Sequence, residues 1–217
     1  MRTASEILEI AKRLPKFSEY FDMLAEKSEQ VIIFGSYAAG VERHDSDIDI
    51  LFVNDQKNVK TRSLDFICIK QERLNLKTWL GSELANHVAK YGIWVKGEDE
   101  WKQGVFISKN TLDRKKIMIL NRLTHLYIKN RRLSDKAILE LFRDVILDCF
   151  RLVHMAEGNA IPANRILADL FRNDHRNIMN EIVKEEYLGK VAEVYFNYLF
   201  KSVGYGVVEN NIKNILM

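Results

Sequence analysis

The stretch VIIFGSYAAGVERHDSDIDILFV, residues 31–53, decides how the chain folds. Val31 to Phe34 is a hydrophobic run of the kind a buried strand carries. Gly35-Ser36 breaks the run. Tyr37 to Gly40 follows, long enough for about one or two helical turns. A polar turn, Glu42 to Ser46, leads into a second strand from Asp47 to Val53. That strand opens by alternating acid and aliphatic residues: Asp47, Ile48, Asp49, Ile50.

The alternation carries chemistry. Side chains at i and i+2 of a strand point to one face, roughly 6.5–7 Å apart along the chain. Asp47 and Asp49 therefore project together, and Ile48 and Ile50 enter the core. Two carboxylates on one face repel unless a proton or a cation neutralises them. Their oxygen ligands suit Mg²⁺ or Mn²⁺, not zinc. Gly35 lets another group approach its backbone, and Ser36 stands at a helix start, where free N–H groups favour phosphate. A phosphate cradle just ahead of a metal-binding pair is the equipment for handling a nucleoside triphosphate with Mg²⁺.

Phe34-Gly35-Ser36, ten residues, then Asp47-Ile48-Asp49-Ile50 resembles the signature of the polymerase-beta-type nucleotidyltransferase superfamily. The wording GSYAAG…DSDIDILFV is most similar to its small bacterial members, the MNT-like and antibiotic nucleotidyltransferase group. The resemblance covers about the first half of the chain. It implies phosphorus-group transfer: a nucleoside monophosphate, AMP by preference, passes from a triphosphate to an acceptor hydroxyl. Two Mg²⁺ ions (or Mn²⁺) would assist, and a helix would precede the Gly-Ser strand. The family often has a basic residue near position 39; here it is Ala39, which leaves triphosphate contacts to other bases.

Composition sets the bounds. The chain has 217 residues, 47% of them hydrophobic, with two prolines and ten glycines, so it can build a sizeable core and is not loop-rich. No apolar run reaches the roughly 18 residues of a membrane span, and the N-terminus reads as an amphipathic helix rather than a targeting signal. Cys68 and Cys149 lie far apart in apolar segments. Buried free thiols in a reducing cytosol are expected, hence a cytoplasmic protein. The net charge of +3 is uneven: residues 1–107 hold 15 basic and 17 acidic residues, and residues 108–217 hold 18 and 13. That asymmetry suits a polyanionic ligand but is too mild to demand nucleic acid.

The pattern along the chain predicts an α+β fold: a small mixed sheet flanked by helices over 1–107, then an all-α helical bundle over 108–217. Helices are expected at 3–14, with Thr3 and Glu6 as a capping box, and at 16–27. A third strand, Ser63 to Ile69, follows a polar loop at 54–60. Residues 74–80 are ambiguous. Ser82 caps a helix that runs to Tyr91 and ends at Gly92. Ile93 to Val95 reads as a strand, and 105–107 as another. In the second half, helices are expected at 111–130, 134–157 (closed by Gly158-Asn159), 162–172 with Pro162 in its first turn, and 174–202.

Asp65, between Leu64 and Phe66 on the third strand, is the candidate third carboxylate. If that strand lies beside the second, Asp65 joins Asp47 and Asp49, takes the proton from the acceptor hydroxyl and touches a metal. Its rivals are Glu98, Asp99 and Glu100, which read as a solvated acidic turn, and a base from the second domain, as in some antibiotic nucleotidyltransferases. Lys115, Arg122 and Lys129 recur every seven residues on one helix face. Lys115 and Arg122 are candidates for contact with the triphosphate or with a nucleic-acid backbone, against the simpler reading of a solvated face. Trp79, Trp94 and Trp101 invite base stacking, but core or interface packing is the simpler reading. His44 is a solvated loop histidine on the simpler reading. Arg151–His154 and Arg172–His175 are spaced too closely for the Arg-x4–6-His motif of RNase-like helical domains allied to the superfamily.

The acceptor expected first is a small molecule such as an antibiotic. Nucleotidyl transfer to tRNA or protein, in a toxin–antitoxin or phage-defence setting, is the alternative. A non-catalytic nucleotide- or partner-binding domain is a third reading, and a homodimer is compatible with each.

Overall fold

A computed structural model describes residues 2–129, 144, 145, 147, 148, 151, 152, 154–159, 161–163 and 166. The chain divides into two compact units, Met1–Ser108 with Ala160–Arg165, and Lys109–Asn159 with Ile166–Met217.

The first unit is built on a five-stranded mixed sheet in the order β3-β4-β2-β1-β5. Its strands are β1 (Gln30–Phe34), β2 (Ile48–Val53), β3 (Val59–Lys60), β4 (Leu64–Ile69) and β5 (Ile93–Lys96). β1 pairs antiparallel with both β2 and β5. β2 and β4 are parallel, and β3 returns along the outer edge antiparallel to β4.

Strand alternation sorts the core into two layers. Val31 and Ile33 of β1, Ile48, Ile50 and Phe52 of β2, and Leu64 and Phe66 of β4 face one way. They pack on α1 (Ala4–Ala11) and α2 (Phe17–Glu26) through Ile7, Ala11, Phe17 and Leu24. Ile32, Phe34, Leu51 and Val53 face the other way, onto Trp79 of α4 (Lys77–Leu80) and Ala85 and Val88 of α5 (Glu83–Tyr91).

The helix starts follow their sequence signals. Thr3 and Glu6 form the reciprocal capping box, and the Ser82 side chain accepts from the Ala85 N–H. Residues 161–163 join the first unit through α5: the Ile161 N–H donates to Asn86 Oδ1 at 3.0 Å, and its carbonyl lies 2.8 Å from His87 Nδ1.

Several expectations are corrected. The loop at 54–60 ends in β3, whose two residues have no hydrophobic pattern and owe their form to pairing with β4. Residues 105–107 are not a strand. The Phe106 and Ser108 N–H groups donate to the Leu80 and Gly81 carbonyls instead, so this segment follows the α4–α5 junction rather than the sheet. The ambiguous 74–80 region resolves into a turn at 74–76, just after a 3₁₀ turn at Gln71–Arg73, and the short α4. Pro162 is not helical. Trp79 and Trp101, by contrast, follow the simpler reading of core packing: both are buried with ring centroids 5.5 Å apart, and Trp101 donates to Gln30 Oε1 at 3.1 Å. Trp94 packs partly buried against the same layer.

In the second unit α6 spans Lys109–Lys129. Gly158 and Asn159 close the helical turns before them: Gly158 has φ +70°, and its N–H donates to Met155, while the Asn159 N–H donates to His154. The helices expected at 162–172 and 174–202 lie almost wholly outside the described residues, as does the Cys149 side chain. Cys68 is a free, half-buried thiol. Among the described residues no helix is long and apolar enough to cross a membrane.

Candidate active site

The site forms where β1 ends and β2 and β4 begin. Phe34 is paired with Asp49 on β2, and Asp49 with Asp65 on β4. Asp47 stands one residue ahead of β2. The buried isoleucines 48 and 50 turn the odd-numbered β2 residues to the opposite face, and Leu64 and Phe66 do the same for Asp65. Register therefore places Asp49 and Asp65 side by side, both half-buried. One carboxylate oxygen from each of Asp47, Asp49 and Asp65 lies within 4.8 Å of the others.

Gly35 is the other half of this geometry. It has φ +72°, a left-handed conformation that disfavours any side chain, and a Cβ there would lie 1.9 Å from Asp49 Oδ2. The missing side chain is the space the Asp49 carboxylate fills. Gly35 and Ser36 open α3 (Gly35–Ala39), a single short helix between the strand and the acidic loop. The Gly40 and Val41 N–H groups return to the Ser36 carbonyl, which turns the chain toward Asp47. Glu42 then pairs with Arg2 at 2.6 Å, and the Arg43 N–H donates to Ser46 Oγ at 2.8 Å. His44 is exposed in this loop.

The electrostatics follow from crowding. Burial, then the charges of Asp47 and Asp65, push the Asp49 carboxyl up to about 8, with Lys60 opposing. Asp49 thus holds a proton at neutral pH when no cation is present. Lys60 was not singled out by sequence. It stands opposite Asp65 in the β3–β4 register, and its ammonium donates to Asp65 Oδ2. Asp65 raises the Lys60 pKa in turn, by hydrogen bond and by charge. One signal was legible: Thr61 and Ser63 fall between them, and the Thr61 hydroxyl accepts from the Ser63 and Leu64 N–H groups, a turn that sets residues 60 and 65 across from each other.

The donor set fits a hard divalent cation. It is all carboxylate oxygen with no histidine or thiol, and its most buried member carries a proton that a cation would replace. Asp47, Asp49 and Asp65 are the residues that could hold one.

The structure does not bring the rival acids to this place. Glu98, Asp99 and Glu100 are exposed beyond β5, at the opposite edge of the sheet, with Asp99 3.5 Å from Lys102. Lys115 and Arg122 belong to the second unit, where both bind Asp148, Lys115 at 3.1 Å. The side chain of Lys129 lies outside the described residues.

The nucleotidyltransferase domain family model matches residues 14–121. Two solved structures are similar to this chain. One is a nucleotidyltransferase-like protein from Exiguobacterium sibiricum, 14% identical, covering 90% of this chain and 75% of its own, with a TM-score of 0.39. The other is a toxin–antitoxin with AMP-PNP, 14% identical, covering 56% of this chain and all of its own, with a TM-score of 0.27. No curated protein matches. The matched residues contain Gly35, Ser36 and all three carboxylates, and the chain carries a nucleotidyltransferase domain over residues 14–121.

Proposed function

We propose that the protein is a divalent-metal-dependent nucleotidyltransferase that moves a nucleoside monophosphate, AMP by preference, from a triphosphate to an acceptor hydroxyl. The convergence of Asp47, Asp49 and Asp65 supports this reading. Residues 1–107 serve as the catalytic domain and 108–217 as a helical bundle domain. Asp47 and Asp49 would hold Mg²⁺ ions, and Asp65 would contribute a further carboxylate ligand. When bound, the ions offset the charge of the triphosphate and stabilise the attacking and leaving oxygens.

The rest falls to the chain. The Gly35 backbone and the Ser36 hydroxyl and N–H bind the outer phosphates. Asp65, at the far side of the triad from Gly35, accepts the proton of the acceptor hydroxyl. The acceptor oxygen bonds to the α-phosphorus, and the bond from that phosphorus to the bridging oxygen breaks, releasing pyrophosphate. The acceptor we place first is a small molecule carrying a hydroxyl.

The test is incubation with each α-labelled nucleoside triphosphate and Mg²⁺, with a panel of small hydroxylated antibiotics, total tRNA and cell protein in separate reactions. Label should pass to one acceptor class and not in Asp47→Asn or Asp49→Asn, which should also lose metal-dependent nucleotide binding. Asp65→Asn should lose transfer and keep most of the binding; normal transfer by that variant would remove it from the base role. No metal-dependent binding of any nucleotide would return the protein to a non-catalytic binding role.

A further inference from the structure

We propose that Lys60 is a built-in counter-ion of the carboxylate triad: it holds Asp65 in the metal-free protein and gives up that carboxylate when a divalent cation binds. The inference rests on the metal reading of the triad.

Three observations carry it. The β3–β4 register sets Lys60 directly across from Asp65, so the two side chains rise from the same face. The ammonium bonds Asp65 Oδ2, on the carboxylate that shares a 4.8 Å cluster with Asp47 and Asp49. The Lys60 side chain is 70% exposed and that of Asp65 22%, so the lysine reaches in from solvent to a site that is itself sheltered.

Charged carboxylates this close repel one another, and a positive charge beside the metal-free triad offsets that repulsion. Lys60 supplies one charge on a flexible stem that solvent can take back. With its lysine 70% exposed, the pair is weak enough to be displaced. A divalent ion carries twice the charge of the ammonium and competes with it for the same carboxylate, so cation binding weakens the Lys60–Asp65 pair. The site is thus kept assembled before the metal arrives, and part of the binding energy is spent on releasing the lysine.

The test is titration of the full chain with Mn²⁺ alone, without nucleotide, read by calorimetry, together with thermal melting in EDTA. Lys60→Met should bind Mn²⁺ about two- to five-fold more tightly than the wild type, the range expected for one exposed pair. It should also melt at a lower temperature in EDTA. Lys60→Arg, which keeps the charge, should match the wild type in both. Unchanged or weaker Mn²⁺ binding by Lys60→Met, alongside wild-type binding that Asp49→Asn abolishes, would overturn the role of Lys60 and leave the metal site standing. No Mn²⁺ binding by the wild type would overturn both.

Discussion

Asp49 sits where burial, two neighbouring carboxylates and the empty side of Gly35 meet. Its carboxyl is pushed from 3.8 up to about 8, first by burial and then by Asp47 and Asp65. A cation must displace that proton, so the apparent affinity for Mn²⁺ should rise about tenfold per pH unit below about 8 and level off above it, measurable by titration at several pH values. The sign for folding follows from the same shift. The unfolded chain loses this proton near the ordinary carboxylate value and the folded, metal-free protein only near 8. Between those limits the folded state binds the extra proton, and stability falls as pH rises. Denaturant melts in EDTA should show that slope, and Asp49→Asn should flatten it. Gly35→Ala puts a methyl group where the Asp49 carboxylate lies, at a backbone angle that favours glycine. We expect transfer to fall by about a hundred-fold or more, the cost of misplacing a catalytic group by an ångström, with metal affinity lowered in parallel. The shared face of Asp47 and Asp49 and the break at Gly35-Ser36 were legible in the sequence because they are set within a strand and the turn beside it. Lys60 was missed, because its partner is chosen by strand pairing and only the turn at Thr61 to Ser63 is local.

At the scale of the element, β2 does two jobs with one alternation. Ile48, Ile50 and Phe52 pack on α1 and α2, which leaves the Asp49 face to the site. β4 repeats the device with Leu64 and Phe66. Phe66 is fully buried and touches Phe17 and Phe52 edge-on. Phe66→Ala should destabilise the first unit by about 3–5 kcal/mol in equilibrium denaturation, the usual cost of a large core cavity, and should loosen the Asp65 position with it. Ser82→Ala removes the cap of α5 but touches no site residue. It should cost about 1 kcal/mol and leave Mn²⁺ affinity unchanged. The caps and the buried strands were readable because both signals are local. β3 and the segment at 105–107 were misread because a short extended run becomes a strand only when a neighbour offers its hydrogen bonds, and 105–107 finds its partners at the α4–α5 junction instead.

Across the whole molecule, the second unit has its own electrostatic centre. Asp148 is 1% exposed and binds Lys115, Arg122 and Arg151, with Lys115 itself 6% exposed. Asp148→Ala leaves these cations without that carboxylate and should cost about 3–5 kcal/mol in chemical denaturation, as breaking a buried ion pair does. The seven-residue spacing of Lys115 and Arg122 showed that they share a helix face, but not that a buried acid from a later segment of the chain would engage them. The sequence by itself determined the strand, the Gly-Ser break and the paired acids, because strand periodicity and the demands of one glycine are satisfied within a few consecutive residues. It also determined the α+β character of the first unit, through its alternating strand and helix patterns. Only the tertiary structure decided that β4 runs parallel to β2 with β3 outside it. That choice brings Asp65 to Asp49 and Lys60 to Asp65, and no local pattern distinguishes it from other strand orders, because strands of similar composition can pair in several ways and the packing of both sheet faces selects among them.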